Sequence, residues 1–218
     1  MSYDEIKSSL LKYNSSINDE MLEYNIFKLN ELRKVKVVGD KYYLKEFYEA
    51  EKYIADKLCF LNDIERVKSS KLESVIKELE EKNGIVYDKI QKDAIVKAIN
   101  NNLVIITGGP GTGKPTIVRA IVYSLKKVFK AYDEDIALLA PTGRAAKKLM
   151  ETTNLKASTI HRYLGWDKDA NKFSVNEYSP NKEKYIIVDE VSMLDTILMA
   201  SLLKGIKRDV KLILVGDY

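Results

Sequence analysis

The sequence predicts an α/β protein, a parallel sheet flanked by helices, with a mainly helical region in front of it. Three observations carry this. Beyond about residue 84, short β-rich runs alternate with helical stretches, the pattern of a sheet whose crossovers are helices. Ahead of that point, apolar residues recur at helical spacing around a pair of short β-rich runs. Between the halves, a stripe of Leu72, Val75, Ile76 and Leu79 stops at Asn83-Gly84, a helix-end signal. The expected domains are therefore residues 1–83 and 84–218.

In the first domain, Leu22, Ile26, Leu29 and Leu32 predict one helix, and Phe47, Ala50, Ile54, Leu58 and Leu61 predict another. Between them, Val35–Val38 and Lys41–Leu44 flank Gly39-Asp40, predicting a hairpin with a type II′-like turn. Helices around a small hairpin are winged-helix-like; a helical linker that touches no nucleic acid is the competing reading. In the second domain, Leu103–Thr107, Ile136–Ala140, Tyr185–Val188 and residues 211–215 read as strands. Helices are expected after the first two and through Ile197, Leu198, Leu202 and Leu203. The polar stretch 166–184 reads as a loop or surface hairpin.

Composition narrows the class without naming a function. With 45% hydrophobic and 31% charged residues, the chain has a soluble, folded balance rather than a disordered one. The net charge of +4 is too small to argue for a polyanionic partner. No apolar run is long enough to cross a bilayer, and MSYDEIKSSL lacks a signal pattern, so a cytoplasmic protein with no membrane partner is expected. The single Cys59 has no partner for a disulfide and, at apolar helical spacing, reads as a small core residue in a reducing compartment.

Chemistry concentrates in residues 108–116. Gly108, Gly109, Pro110, Gly111, Thr112, Gly113 and Lys114 follow a strand and open a helix, the context that marks a phosphate-binding loop. Glycines let successive backbone N–H groups converge on phosphate oxygens, and the helix N-terminus adds partial positive charge. Lys114 would reach the β- and γ-phosphates. After Gly-Lys the pattern requires Ser or Thr, whose hydroxyl ligates Mg²⁺; residue 115 is proline. Pro115 offers neither hydroxyl nor N–H, and it disfavours helical geometry at Lys114. Thr116 is a weak substitute ligand, because adjacent helical side chains point about 100° apart.

Downstream, Ile186-Ile187-Val188 is an apolar strand ending in Asp189-Glu190. Asp189 is expected to hold Mg²⁺, and Glu190 to orient and deprotonate a water attacking the γ-phosphate. A water-activating base points to a hydrolase rather than a small-molecule kinase. Asn181-Lys182-Glu183-Lys184 has Lys where a guanine-reading motif needs Asp, and it precedes the acidic strand, so a GTPase is set aside.

Together with this loop, APTGRAAKKL at 140–149, STIHRYLGW at 158–166, IIVDEVSMLD at 186–195 and LILVGD at 212–217 resemble the motifs of RecD-like, superfamily-one DNA helicases (the exodeoxyribonuclease V alpha-subunit family). The resemblance covers the chain from about residue 86 onward, and less distinctively residues 4–61. It implies a RecA-like nucleotide-hydrolysing lobe using ATP and Mg²⁺, with the strand at 212–217 between the phosphate-loop strand and the Asp-Glu strand. It further implies that Gln91 reads adenine, with Asp88 capping its helix, and that Thr142, Gly143, Arg144, Thr159 and His161 face single-stranded DNA. The family's motor has a second RecA-like lobe that supplies an arginine to the γ-phosphate. The chain is expected to be an N-terminal piece truncated at the third motif, whose partners are that second lobe, single-stranded DNA and possible repair-complex subunits. With Pro115 it is expected to bind nucleotide weakly and to be no competent helicase; the alternative is a degenerate nucleotide- or DNA-binding module in a repair complex.

Overall fold

The computed structural model describes residues 1–65 and 69–217. They form two compact units, Met1–Ala55 and Asp56–Tyr218.

The first unit opens with α1 (Tyr3–Leu11), closed by a reciprocal capping box between Ser2 and Glu5. Asn18 caps α2 (Asp19–Glu31) by accepting from the Met21 N–H. Strands β1 (Val35–Val38) and β2 (Lys41–Leu44) pair antiparallel, with Val35 opposite Leu44. Gly39 has a φ of 59° while Asp40 does not enter the positive region, as a type II′ turn requires. The chain then enters α3 (Lys45–Asp63) directly. Leu22 and Ala50 are buried, whereas Leu32, at 65% exposure, caps α2 instead of extending its apolar stripe.

The second unit contains α4 (Leu72–Asn83), which ends on left-handed Gly84 as expected. The division between units does not fall at the expected 83/84 boundary. Leu72, Ile76 and Leu79 of α4 share one core cluster with residues of the sheet layer such as Ile121, Leu125 and Ile213. An apolar stripe on a helix must be covered, and the sheet unit covers this one.

After α5 (Lys89–Asn100) come β3 (Leu103–Thr107), α6 (Lys114–Phe129), β4 (Ile136–Ala140), α7 (Gly143–Thr153), β5 (Ala157–Thr159) and α8 (Ile160–Tyr163). A two-residue-per-strand hairpin, β6 (Trp166–Asp167) and β7 (Lys172–Phe173), precedes β8 (Tyr185–Val188), α9 (Thr196–Lys204) and β9 (Lys211–Gly216). The sheet order is β3-β9-β8-β4-β5, with every pairing parallel. The last strand therefore lies between the phosphate-loop strand and the Asp-Glu strand. Strands β4, β8 and β9 are buried throughout, which explains their unbroken apolar runs.

Among the described residues, one buried charge sits in this core. Lys211, fully buried, donates from Nζ to the Ile99 carbonyl at 2.9 Å and to that of Asn101. It thereby closes the carbonyl end of α5, where a cation also meets the negative end of the helix dipole. Among the described residues, no helix is long and apolar enough to cross a membrane.

Candidate nucleotide site and nucleic-acid edge

Parallel strands put all their carboxyl ends on one edge of the sheet, where open α/β sheets form their ligand crevice. The loops leaving those ends carry nearly every site residue expected from the sequence. Residues 108–113 follow β3, Thr142 to Arg144 follow β4, His161 follows β5, Asp189 and Glu190 follow β8, and Asp217 follows β9.

In the phosphate loop, Gly111 and Gly113 hold φ values of 79° and 82°, a region that side chains other than glycine rarely enter. A Cβ at Gly113 would also meet Gln91 Nε2 at 2.6 Å. The Thr112 hydroxyl donates to the Gly109 carbonyl at 2.9 Å, which braces the loop. No side chain caps α6, so its first-turn N–H groups remain available to an anion.

Pro115 does not disturb this backbone. Lys114 is the first helical residue and Pro115 lies in the first turn, where the helix uses no N–H from it. The distortion expected at Lys114 is therefore not seen, and what the proline removes is the hydroxyl and one first-turn N–H that an anion could have used.

Lys114 is folded back on its own loop. Its half-buried Nζ donates to the Gly108 carbonyl at 2.6 Å, to the Gly109 carbonyl at 3.0 Å and to Asp217 Oδ1 at 2.6 Å, using all three ammonium protons. Asp217 was not singled out from the sequence. The signal was present in a Gly-Asp pair ending a strand, but the pairing of β9 with β3 decides its position.

The acidic turn lies close by. Asp189 donates its N–H to Leu139 and accepts the Glu190 N–H on Oδ1 at 3.0 Å. Glu190 occupies the left-handed region at a φ of 56°, a strained setting for its side chain. Burial raises the Asp189 pKa; the Glu190 N–H opposes the shift, the Glu190 charge adds to it, and the cations of Lys148 and Lys114 oppose it. The turn after Glu190 rests on β9, since a Cβ at Gly216 would meet the Ser192 and Val191 nitrogens at 3.2 and 3.3 Å.

Between α5 and β3, beside the loop, lies a cleft of about 430 Å³ lined by Asp88, Gln91, Ile105, Gly108, Thr112 and Lys114 among others. Its size suits a small-molecule site. Asp88 caps α5 in a capping box with Gln91, whose Oε1 accepts the Asp88 N–H. The same amide donates from Nε2 to the Thr112 carbonyl at 3.3 Å, tying α5 to the loop. An amide at the rim, an exposed Ile105 and a concave loop of N–H groups fit a nucleotide. For Mg²⁺ the fit is partial. Such an ion takes one or two carboxylates plus substrate phosphates; Asp189 supplies the first, residue 115 supplies nothing, and Thr116 is half-buried one residue farther along α6. Among the described residues, no group of three or more His, Cys, Asp or Glu could hold a metal.

At the other end of the sheet, Ala140 and Thr159 are in register. Thr142 and Thr159 each cap a helix, accepting the N–H of Ala145 and Arg162 at 3.2 Å. Capping engages an oxygen lone pair and leaves each hydroxyl proton free to donate. Thr142, Gly143 and Arg144 are exposed. His161, also exposed, rests against Trp166 and Phe173. Asn181, set aside as a guanine reader, is structural: its amide donates to the Tyr163 carbonyl and its N–H to Gly205. A larger cavity of about 920 Å³ against β4 and β5 contains none of the expected site residues.

The profile of the AAA domain family matches residues 91–218, more than half of the chain and the whole of this constellation. The chain belongs to the AAA domain family. Within it, the relatives of this AAA-domain chain are RecD-like, in agreement with the motifs. It is 32% identical over 197 residues to the RecBCD enzyme subunit RecD of Buchnera aphidicola subsp. Schizaphis graminum, covering 82% of this chain and 32% of that protein. It is 39% identical over 127 residues to the ATP-dependent RecD2 DNA helicase of Deinococcus radiodurans, covering 58% and 17%. The RecD subunit of Haemophilus influenzae is 35% identical over 168 residues, covering 67% and 25%. The chain thus spans a third or less of the length of these relatives.

Proposed function

We propose that the protein carrying this chain hydrolyses ATP to move along single-stranded DNA and unwind duplexes. The observation that carries this is the strand order β3-β9-β8, which brings the phosphate loop, Asp217 and the Asp189-Glu190 turn to one crevice. The N–H groups of Gly109 and of residues 111–114, together with the Lys114 ammonium, bind the phosphates, and Lys114 exchanges Asp217 and two carbonyls for phosphate oxygens. Gln91, held at the cleft rim, recognises the base. Asp189 would hold Mg²⁺ together with the phosphates, and a bound ion would supply positive charge against the phosphoryl oxygens. Glu190 orients the attacking water and takes its proton. Thr142, Gly143, Arg144 and Thr159 position a DNA strand through phosphate contacts that carry no sequence information. A second RecA-like lobe supplies the arginine that completes the site, and repair-complex subunits are further partners.

Pro115 sets the limit on this chain. Without a protein hydroxyl on Mg²⁺, it binds nucleotide weakly and turns over slowly. The same proline favours a second reading, a nucleotide- or DNA-binding module whose hydrolysis is lost. Pro115→Thr in the full-length protein separates the two. A rise in Mg²⁺-dependent ATPase on the order of a hundredfold, the scale of one preorganised charge-stabilising group, supports the motor. An unchanged rate supports the binding module.

A further inference from the structure

A lone exposed aromatic side chain needs no explanation. Three rings in mutual contact at the surface, beside a candidate DNA edge, do. Trp166 and Phe173 face each other across the β6–β7 hairpin with ring centroids 4.8 Å apart, and His161 on α8 meets them at 6.0 and 5.8 Å. Trp166 is nevertheless 39% exposed, and His161 is exposed as well. The rings brace one another without covering the indole.

The mount is rigid. Gly165 turns the chain from α8 into the hairpin at a φ of 62°, where a Cβ would meet Ser174 Oγ at 2.2 Å. Ser174 and Val175 donate their N–H groups to the Gly165 and Leu164 carbonyls, continuing the ladder down to a fully buried Leu164. Leu164 and Val175 close over Gly205, where a side chain would find no room. Asp167 turns its carboxylate into the hairpin turn, accepting the N–H groups of Asp169 and Ala170, while Lys168 and Lys172 of the same hairpin are exposed. A fixed aromatic face among solvent-facing cations suits an unpaired base followed by its phosphates. It does not suit a base pair, whose faces are already stacked.

We infer that Trp166, held by Phe173 and His161, is a stacking platform for one base of the single-stranded DNA, resting on the DNA track proposed above. It adds a base-plane contact, tolerant of sequence, to the phosphate contacts of Thr142 and Thr159. His161 then acts as a positioning residue for the indole.

Trp166 is the single tryptophan of the chain, so its fluorescence reports the site directly. An oligothymidylate should quench it saturably, with a midpoint matching binding followed by anisotropy of the labelled oligonucleotide. An abasic oligonucleotide of equal length should bind without quenching. Trp166→Ala should weaken oligothymidylate binding about tenfold, the scale for losing one stacked base. Its salt dependence should be unchanged because no phosphate contact is lost, and Trp166→Tyr should retain most of the affinity. Bound oligonucleotide with unquenched Trp166, or wild-type affinity in Trp166→Ala, overturns the platform and leaves the DNA track standing. No binding by any oligonucleotide overturns both.

Discussion

The two ends of the sheet's carboxyl edge are built on opposite principles. At the nucleotide end, around β3, β9 and β8, the working groups are tied to one another. Lys114 spends its protons on two carbonyls and Asp217, Glu190 sits in a left-handed conformation, and Asp189 is a half-buried carboxylate whose charge is disfavoured. At the proposed nucleic-acid end, around β4 and β5, Thr142 and Thr159 stabilise the fold as helix caps; Thr142 is exposed and Thr159 half-buried, and each keeps a hydroxyl proton to donate. Under the proposed function, nucleotide binding would replace internal bonds, whereas a DNA strand would meet groups already in place. The first end would then be a switch and the second a track.

The largest expected effect tests the switch end. Restoring the metal ligand with Pro115→Thr should raise Mg²⁺-dependent turnover of the full-length protein on the order of a hundredfold, while changing single-stranded DNA affinity little. A comparable change at both ends would break the contrast.

Next come the caps. Thr142→Ala and Thr159→Ala should each cost about 1 kcal/mol of stability, the usual penalty for a lost cap, as read by denaturant midpoint. Thr142→Ser and Thr159→Ser should restore it. At the track end, function and stability fall together.

Asp217→Asn removes the charge paired with Lys114, which the proposed function requires to be released to phosphate. The pair is partly exposed, Asp217 at 46%, so its Coulomb energy is small after solvent screening. Nucleotide affinity, measured by calorimetry without Mg²⁺, should rise about two- to fivefold, the range for a pair worth well under or near 1 kcal/mol. A loss of affinity would show that Asp217 contacts the nucleotide rather than competing with it.

Much of this was legible in the residues. The apolar runs of β4 and β8 are read to their ends, because buried parallel strands have no polar face to blur them. Gly84 and Asp88 mark helix boundaries through local chemistry alone. The three-residue β5 is invisible as a strand: with Ala, Ser and Thr, it exists only because β4 templates it. The assignment of α4 to the sheet unit is equally a tertiary fact, since a helical stripe does not say what covers it. At the site, spacing marks Lys114, Asp189 and Glu190, but not the Lys114–Asp217 pair, which joins residues 103 positions apart.

The smallest effect sharpens the contrast most. Burial raises the pKa of Asp189, so at neutral pH its ionised form costs the folded state stability. With the folded pKa above the ordinary 3.8, the native state holds its proton more tightly than the unfolded chain. The penalty is absent below the unfolded value, grows as pH rises, and is complete above the folded value. Asp189→Asn removes it, so the variant should melt slightly higher than wild type at neutral pH, with the gap closing under acid. Mg²⁺-dependent hydrolysis should be lost at the same time. Loss of function with a gain in stability would mark the nucleotide end as the place where the fold carries a cost for its chemistry. A variant that melts lower at neutral pH would mean that Lys114 and Lys148 stabilise the carboxylate more than burial penalises it, and the two ends would then differ in chemistry alone.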